Sequence, residues 1–540
     1  MNKVSFNSET KIWSGSPFVY PFGNESVGEV IFEKLSQDLN HIAQISEDSG
    51  VKYTNKEFLE LSIAFASNLQ RKGLKKGDVV LFLCQKHHYV PPAMLGCIFA
   101  GVVFCPFYYQ DSSVRTEVCD ILQKINPKMM IMSHLDLVDE FQRIFREISL
   151  ECPIYVYENS IEGCEELKTL FEKENDQPKI EEYHPFSATD PSVDLLCLNL
   201  TSSTTSKPKI CPMTHKQMLM SLVVRNTTGG HFSCFTDLGW ISALTLTFYS
   251  LVASMTNVMR ADYTIPEALS LIEKYKINSM FCKPKDIFGM LKFEDIQKYD
   301  LSSLRAIITG GEQLSAKIGR DFVKFIPNAR ILSIYGMTDM SGPISDASEG
   351  KLLENYVGKV RSGMEMIVID EQGNHLGPNE LGELCVRSTV VPFSGYYGDP
   401  QRTKDSLNED GFFYTGDMGH IDAEGGIFIN ERKRFFMSYR GMILNQSHIE
   451  HIILENVEGV SGVCVVDVES DEHGQMPIIA IIPSPGKTLN EKEVVEILMK
   501  HHEFEFETRV LFFKSLPMTI SGKFKKFLVR DLIMEKLKNV

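Results

Sequence analysis

Short apolar runs of strand length alternate with helix-length amphipathic stretches over most of the first 370 residues, and no other feature limits the fold more. The runs at 79–84, 129–132, 195–200 and 304–309 are nearly continuous in apolar residues, and Gly310-Gly311 follows the last at once. Short β-type runs separated by helical segments indicate parallel sheets with crossover helices. From Val360 the texture changes to short strands at 365–370, 382–387 and 426–430, parted by Gly, Asn and Asp turns. That pattern predicts a small antiparallel barrel. Beyond Arg432 comes a charged α+β segment, with an alternating run at 463–468 and a helix over about 491–500. The expected fold is α/β. A large N-terminal domain, residues 1–431, holds two parallel α/β sheet subdomains plus the small β-barrel. A smaller, mobile α+β C-terminal domain, residues 432–540, begins within Glu431-Arg432-Lys433-Arg434.

A chain of 540 residues is too long for one core, so two or more domains are expected on size alone. Its 71 acidic and 55 basic residues give a net charge of −16, a surface that repels nucleic acid and anionic membrane. The 12 cysteines are scattered, with no CxxC pair and no zinc spacing, as expected of reduced thiols inside a cell. The longest apolar run, 90–107, contains Pro91, Pro92 and Pro106 and reads as a buried helix followed by a strand, not a membrane span. Met1-Asn2-Lys3-Val4-Ser5 opens no apolar signal, and Lys538-Asn539-Val540 is not the usual peroxisomal tripeptide. An intracellular protein, cytoplasmic or peroxisomal, is expected.

Chemistry concentrates in four segments. Thr201, Ser202, Ser203, Thr204, Thr205 and Ser206 follow a strand and precede Lys207 and Lys209. Hydroxyls and successive backbone N–H groups cradle phosphate oxygens, and Lys209 would neutralise their charge. The glycine-lysine-serine pattern of a Walker loop is absent, which sets aside the P-loop kinases. Tyr335-Gly336-Met337-Thr338-Asp339 offers a stacking ring, a hydroxyl and a carboxylate. Tyr414-Thr415-Gly416-Asp417 places a carboxylate at a tight turn, suited to vicinal ribose hydroxyls. Pro517-Met518-Thr519-Ile520-Ser521-Gly522-Lys523 presents one lysine on a glycine hinge. Each alone has an ordinary reading as a turn, an N-cap or a surface lysine. In this order and spacing they point to one chemistry.

The ordered set resembles the adenylate-forming superfamily of acyl-CoA synthetases, nonribosomal-peptide adenylation domains and beetle luciferases. Gly382-Glu383-Leu384-Cys385-Val386-Arg387 and Gly395-Tyr396-Tyr397 add to the likeness, which runs from about Val51 to the C-terminus. The branch it looks most similar to is that of luciferase-like and coumarate-CoA-ligase-like acyl-CoA ligases of animals. The resemblance implies an acid–thiol ligase that uses ATP, Mg2+ and coenzyme A. Residues 201–209 would hold the β- and γ-phosphates, and Gly311, Glu312 and Gln313 would line the adenine. Tyr335, followed by Gly336 and Met337, would stack on the base, and Thr338 would touch the α-phosphate. Asp339 would help place magnesium, Asp417 would bind the ribose with Arg432 assisting, and Arg434 would be the hinge. Lys523 would contact the carboxylate and nucleotide oxygens, and Tyr439-Arg440-Gly441 would lie at the coenzyme A face.

The chain departs from the family pattern at Ser203, Ser206 and Ile210, where the phosphate loop usually carries glycine. Left-handed backbone there would cost a non-glycine residue roughly 1–2 kcal/mol. Asp339 replaces a glutamate one methylene longer, and Ser438 stands where related ligases have a lysine serving the thioester step. By position, residues 240–258 would wall the acyl pocket. They contain no acidic residue to hold a substrate ammonium, which disfavours amino acids. Leu244, Leu246, Phe248, Tyr249 and Leu251 suit a fatty or aryl acid, although a plain helix core has the same composition. The rival reading is a sensor that binds nucleotide or acyl-CoA on this fold without turnover. Stabilisation by nucleotide in the absence of turnover distinguishes it.

Overall fold

A computed structural model describes residues 3–107, 115–157, 161–201, 208–223, 229–440, 442–470, 474–502, 505–518 and 524–538. Its N-terminal part is built on two seven-stranded sheets. One is centred on Val79–Leu83 and pairs in parallel throughout, except where Leu195–Leu200 meets Ile210–Thr214. The other is centred on His231–Cys234 and is parallel except between Ile42–Ser46 and Lys52–Thr54. All five residues of Val79–Leu83 are buried, as the continuous apolar run requires of a strand covered on both faces.

The 90–107 run divides as its prolines suggest, into a helix Val90–Ala100 and a strand Val103–Pro106. Pro sits in the first helical turn, where its missing N–H is no loss, and every residue of the helix is buried. Gly96 lets this helix meet Asn55–Arg71 at close range, since a Cβ there would lie 2.8 Å from the Phe65 ring. No helix among the described residues is long and apolar enough to cross a membrane.

The short strands from Ser345–Asp346 to Gly426–Arg432 belong to an antiparallel eight-stranded sheet that is open, a half barrel. Two N-terminal strands join it, Ser5–Asn7 and Ile12–Ser14, and Trp13 pairs with Met366. Fully buried, Trp13 donates its Nε1–H to Asp422 O at 3.1 Å. The C-terminal part has its own five-stranded sheet, dominated by the pair Val460–Ser470 and Gly474–Pro483. The helices Gln446–Asn456, Glu491–His501 and Lys526–Lys538 accompany that sheet.

One buried histidine ties the first helix to the first sheet. His215 opens the helix His215–Leu222 behind a Thr214 cap and accepts the Val27 N–H at Nδ1, 3.2 Å away. An accepting Nδ1 is unprotonated, and burial holds the imidazole down to about 4 from 6.5. A depressed histidine adds nothing to pH dependence above 6.5, because both folded and unfolded states are then neutral. As pH falls from 6.5 toward 4 the unfolded state takes up the proton and folding stability drops. Between pH 6.5 and 5 this group accounts for about 2 kcal/mol, so H215Q should unfold in urea with a correspondingly flatter acid dependence. Parallel slopes for the two proteins would contradict it.

Candidate functional site

The site lies at the carboxyl ends of the parallel strands, where the loops that follow them converge. Leu200 faces Ile210 across the antiparallel pair, and the connecting loop is closed at its stem by two bonds. Thr201 N donates to Lys209 O, and Lys209 N donates to Thr201 Oγ1, both at 3.0 Å. Ser202, Ser203, Thr204, Thr205, Ser206 and Lys207 lie outside the described residues. Ile210, where the family has glycine, is 4% exposed and begins a strand with no positive φ. Its side chain packs into the core, so the expected backbone penalty does not arise at this position.

Lys209 reaches out of the loop to two partners. Its Nζ is 2.9 Å from Asp339 Oδ1 and donates to the Tyr396 hydroxyl at 2.6 Å, lying 4.5 Å above the same tyrosine's ring. The Tyr396 hydroxyl donates in turn to Asp339 Oδ1, closing a triangle. Burial, reinforced by the Asp339 carboxylate, pushes the phenol well above its usual range, so the donor keeps its proton. Tyr396 carries no role in the sequence reading, where it marks only a family motif. The sequence signal was the glycine before it: Gly395 has φ 81°, a left-handed turn that sets the ring toward Lys209. Y396F keeps the ring under the ammonium and removes the hydroxyl. If Asp339 places magnesium as expected, loss of such a supporting bond should cost roughly 10-fold in turnover and raise the magnesium needed for half-activity. An unchanged magnesium curve would contradict a positioning role.

A second cluster sits one strand away. Ala306–Gly310 runs parallel to Arg330–Ile334 with Gly310 opposite Ile334, which brings 311–313 beside 335–337. Asp417 and Arg432 face each other on adjacent antiparallel strands, with Arg432 Nε 2.7 Å from Asp417 Oδ1. The Tyr335 hydroxyl donates to Asp417 Oδ2 at 2.5 Å, and Arg432 also donates to Thr415 O at 3.1 Å. Asp417 is 3% exposed, a carboxylate held between a guanidinium and a phenol that burial keeps protonated. Gln313 donates to Asn355, while Glu312 is half-buried beside it. Gly311, Glu312, Gln313, Tyr335, Asp417 and Arg432 line one open cleft.

A second cavity adjoins this cleft and shares Gly311, Ile334 and Gly336 with it. Met337 and Thr338 line it from the shared side, and Trp240, Ile241, Thr245 and Leu246 from the helix Ile241–Val252 and its N-cap. Leu244, Phe248 and Leu251, on the opposite helix face, are at most 3% exposed in the main core, and Tyr249 packs against it. Of the apolar residues named from sequence, only Leu246 walls the cavity.

The small domain faces the same cleft. Lys526 Nζ donates to Glu450 Oε1 at 2.8 Å, Gln446 Oε1 at 2.9 Å and Val465 O at 3.1 Å, 4.3 Å over the Phe435 ring. Phe435, Glu450, Phe524 and Lys526 all line the cleft. Lys523 and Gly441 lie outside the described residues, as do the side chains of Arg434 and Ser438. Phe524, directly after Lys523, borders the cleft. The Tyr439 ring is 1% exposed in the small-domain core, and its hydroxyl accepts from Glu507 N at 3.0 Å. Arg440 reaches Glu507 at 3.1 Å.

A family model described as AMP-binding enzyme matches residues 31–397. The 4-coumarate-CoA ligase 1 of Narcissus pseudonarcissus is 26% identical over 547 residues, covering 97% of this chain and 96% of that protein. ATP-bound MatB from Rhodopseudomonas palustris has a similar fold, with TM-score 0.78, 21% identity, and coverage of 94% of this chain and 99% of that one. The luciferase-like enzyme from the nonluminescent Zophobas morio mealworm superposes with TM-score 0.70 at 24% identity, over 78% of this chain and 98% of its own.

Proposed function

Because the chain belongs to the AMP-binding enzyme family, we propose that it is an AMP-forming acid–CoA ligase acting on a fatty or aryl acid. The observation that carries this reading is the pair of cavities sharing Gly311, Ile334 and Gly336. One is a polar cleft with a buried carboxylate, Asp417, suited to a ribose, and the other has no charged side chain among its lining residues. An acid in the second would meet the α-phosphate of a nucleotide in the first at Thr338.

In this account the carboxylate oxygen attacks the α-phosphorus in line, and the bond to the pyrophosphate leaving group breaks. Two anions meet, so positioned cations do most of the work. Lys209 moves from Asp339 to the phosphates, and Lys523 arrives from the small domain beside Phe524. Asp339 is then free to hold magnesium, which neutralises phosphate charge when bound. Among the described residues no group of three or more His, Cys, Asp or Glu side chains is placed to hold a metal ion. The thiol of coenzyme A then attacks the acyl carbon and AMP leaves, after residues 432–540 turn about Arg434 and withdraw Lys523.

The test is to supply ATP, magnesium and coenzyme A with a panel of fatty and aryl acids. Mass spectrometry should find acyl-CoA and AMP in equal amounts for at least one acid. ADP as the nucleotide product, or no thioester from any acid, would overturn the reading.

A further inference from the structure

Trp240, which lines the second cavity, and a lysine packed against its ring make a contact that the chemistry above does not use. Lys283 follows the strand Ser279–Cys282 and is only 6% exposed, yet among the described residues no carboxylate lies within ion-pair distance of its ammonium. The partner it does have is the face of Trp240, with Nζ 4.6 Å from the ring centroid. A desolvated ammonium over an indole is the strongest form of the cation–π contact. Burial, with the Lys285 ammonium nearby, lowers the affinity of this lysine for its proton, an effect that the more distant carboxylates of Asp237, Asp286 and Glu312 offset in part.

Among the described residues the Trp240 indole has no other polar hold. Its Nε1–H is buried and makes no hydrogen bond among the described residues. The opposite, benzo edge of the indole lies against Gly311: a Cβ at that glycine would fall 2.5 Å from Trp240 Cζ3. Gly311 has φ 82°, so backbone and ring together demand glycine there. Trp240 is thus fixed on one face by Lys283 and at one edge by Gly311, and it lines the cavity with ring carbons rather than its N–H. Phe281 and the bare peptide planes of Gly310 and Gly336 line the same space. An indole, a phenyl ring and glycine backbone present flat, apolar surfaces, which complement a planar body better than a long flexible chain.

Resting on the ligase reading, we infer that Trp240 is the specificity-determining wall of the acid cavity, that Lys283 is the residue positioning it, and that the pair selects an acid with an uncharged, planar ring.

The chain has 2 tryptophans, and Trp13 lies buried in the antiparallel sheet, so Trp240 reports on the cavity by its fluorescence. Titration of the full chain with trans-cinnamic acid and with dodecanoic acid, in the presence of ATP and magnesium, should change the emission, cinnamic acid at the lower concentration. The change should vanish in W240F. This readout needs no turnover, so it tests the cavity separately from the ligase reading. In product assays W240A should lower the ratio of kcat/KM for cinnamic over dodecanoic acid by ~10-fold or more, the size of effect a reshaped apolar pocket gives. K283M should shift the Trp240 emission and raise KM for cinnamic acid several-fold with kcat little changed, and K283R should restore both. Emission that ignores both acids, or that still responds fully in W240F, overturns the assignment of Trp240. A K283M protein indistinguishable from the parent in emission and KM overturns the role of Lys283.

Discussion

Asp417→Ala should weaken ATP binding by ~100-fold, measured by calorimetry in the absence of acid. Asp417 is 3% exposed and accepts from both Arg432 and Tyr335, so its two oxygens are oriented before any ligand arrives. Hydrogen bonds to a charged group contribute about 1.5–3 kcal/mol each, and two ribose hydroxyls on one carboxylate reach the stated factor. Part of the loss is structural, because the variant strands a buried phenol and turns Arg432 loose. Asp417→Asn separates the two: it keeps an acceptor for one neighbour and removes the charge, so stability should recover more than ATP affinity does. An ATP affinity within threefold of the parent in a folded Asp417→Ala protein would remove Asp417 from the site.

Lys523→Ala should slow adenylation by ~10²–10³-fold while changing ATP affinity little, because it removes one preorganised positive contact at the transition state. The supporting geometry is its neighbour: Phe524 borders the cleft that Asp417 and Arg432 line. Supplied with ready-made acyl-adenylate, the same variant should form thioester within a few-fold of the parent rate, since Lys523 is withdrawn for that step. Equal losses in both half-reactions would mean that the variant damages the fold or that one arrangement serves both steps.

Much of this was legible in the sequence because the relevant signals are local. The strands Met129–Met132 and Leu195–Leu200 have the limits that continuous apolar runs set, and Glu491–His501 ends one residue past its expected limit. What escaped depends on partners far along the chain. Ser5–Asn7 and Ile12–Ser14 are three-residue strands, and Trp13 finds Met366 across more than half the molecule. No local pattern marks such an edge. The helix Ile241–Val252 is apolar nearly all round, so its composition did not tell the cavity face, with Thr245 and Leu246, from the core face, with Leu244, Phe248 and Leu251. Tyr396 and Lys283 were missed for a different reason. A tyrosine in a glycine turn and a lysine in Lys283-Pro284-Lys285-Asp286 carry no local sign of their partners, since the fold supplies Asp339 to one and Trp240 to the other. The burial of Tyr439 was equally hidden, since a strand residue near a charged loop carries no sign of which face is buried.

The central claim is that an acid and ATP react across the wall shared by the two cavities. Pyrophosphate release from purified protein with ATP and magnesium, with and without added acid, tests it most directly. The account predicts release that depends on the acid, is greater for ring-bearing than for long-chain acids, and collapses in Lys523→Ala. Nucleotide binding without acid-dependent release for any acid would contradict it and leave a protein that binds ATP on this fold without adenylating anything.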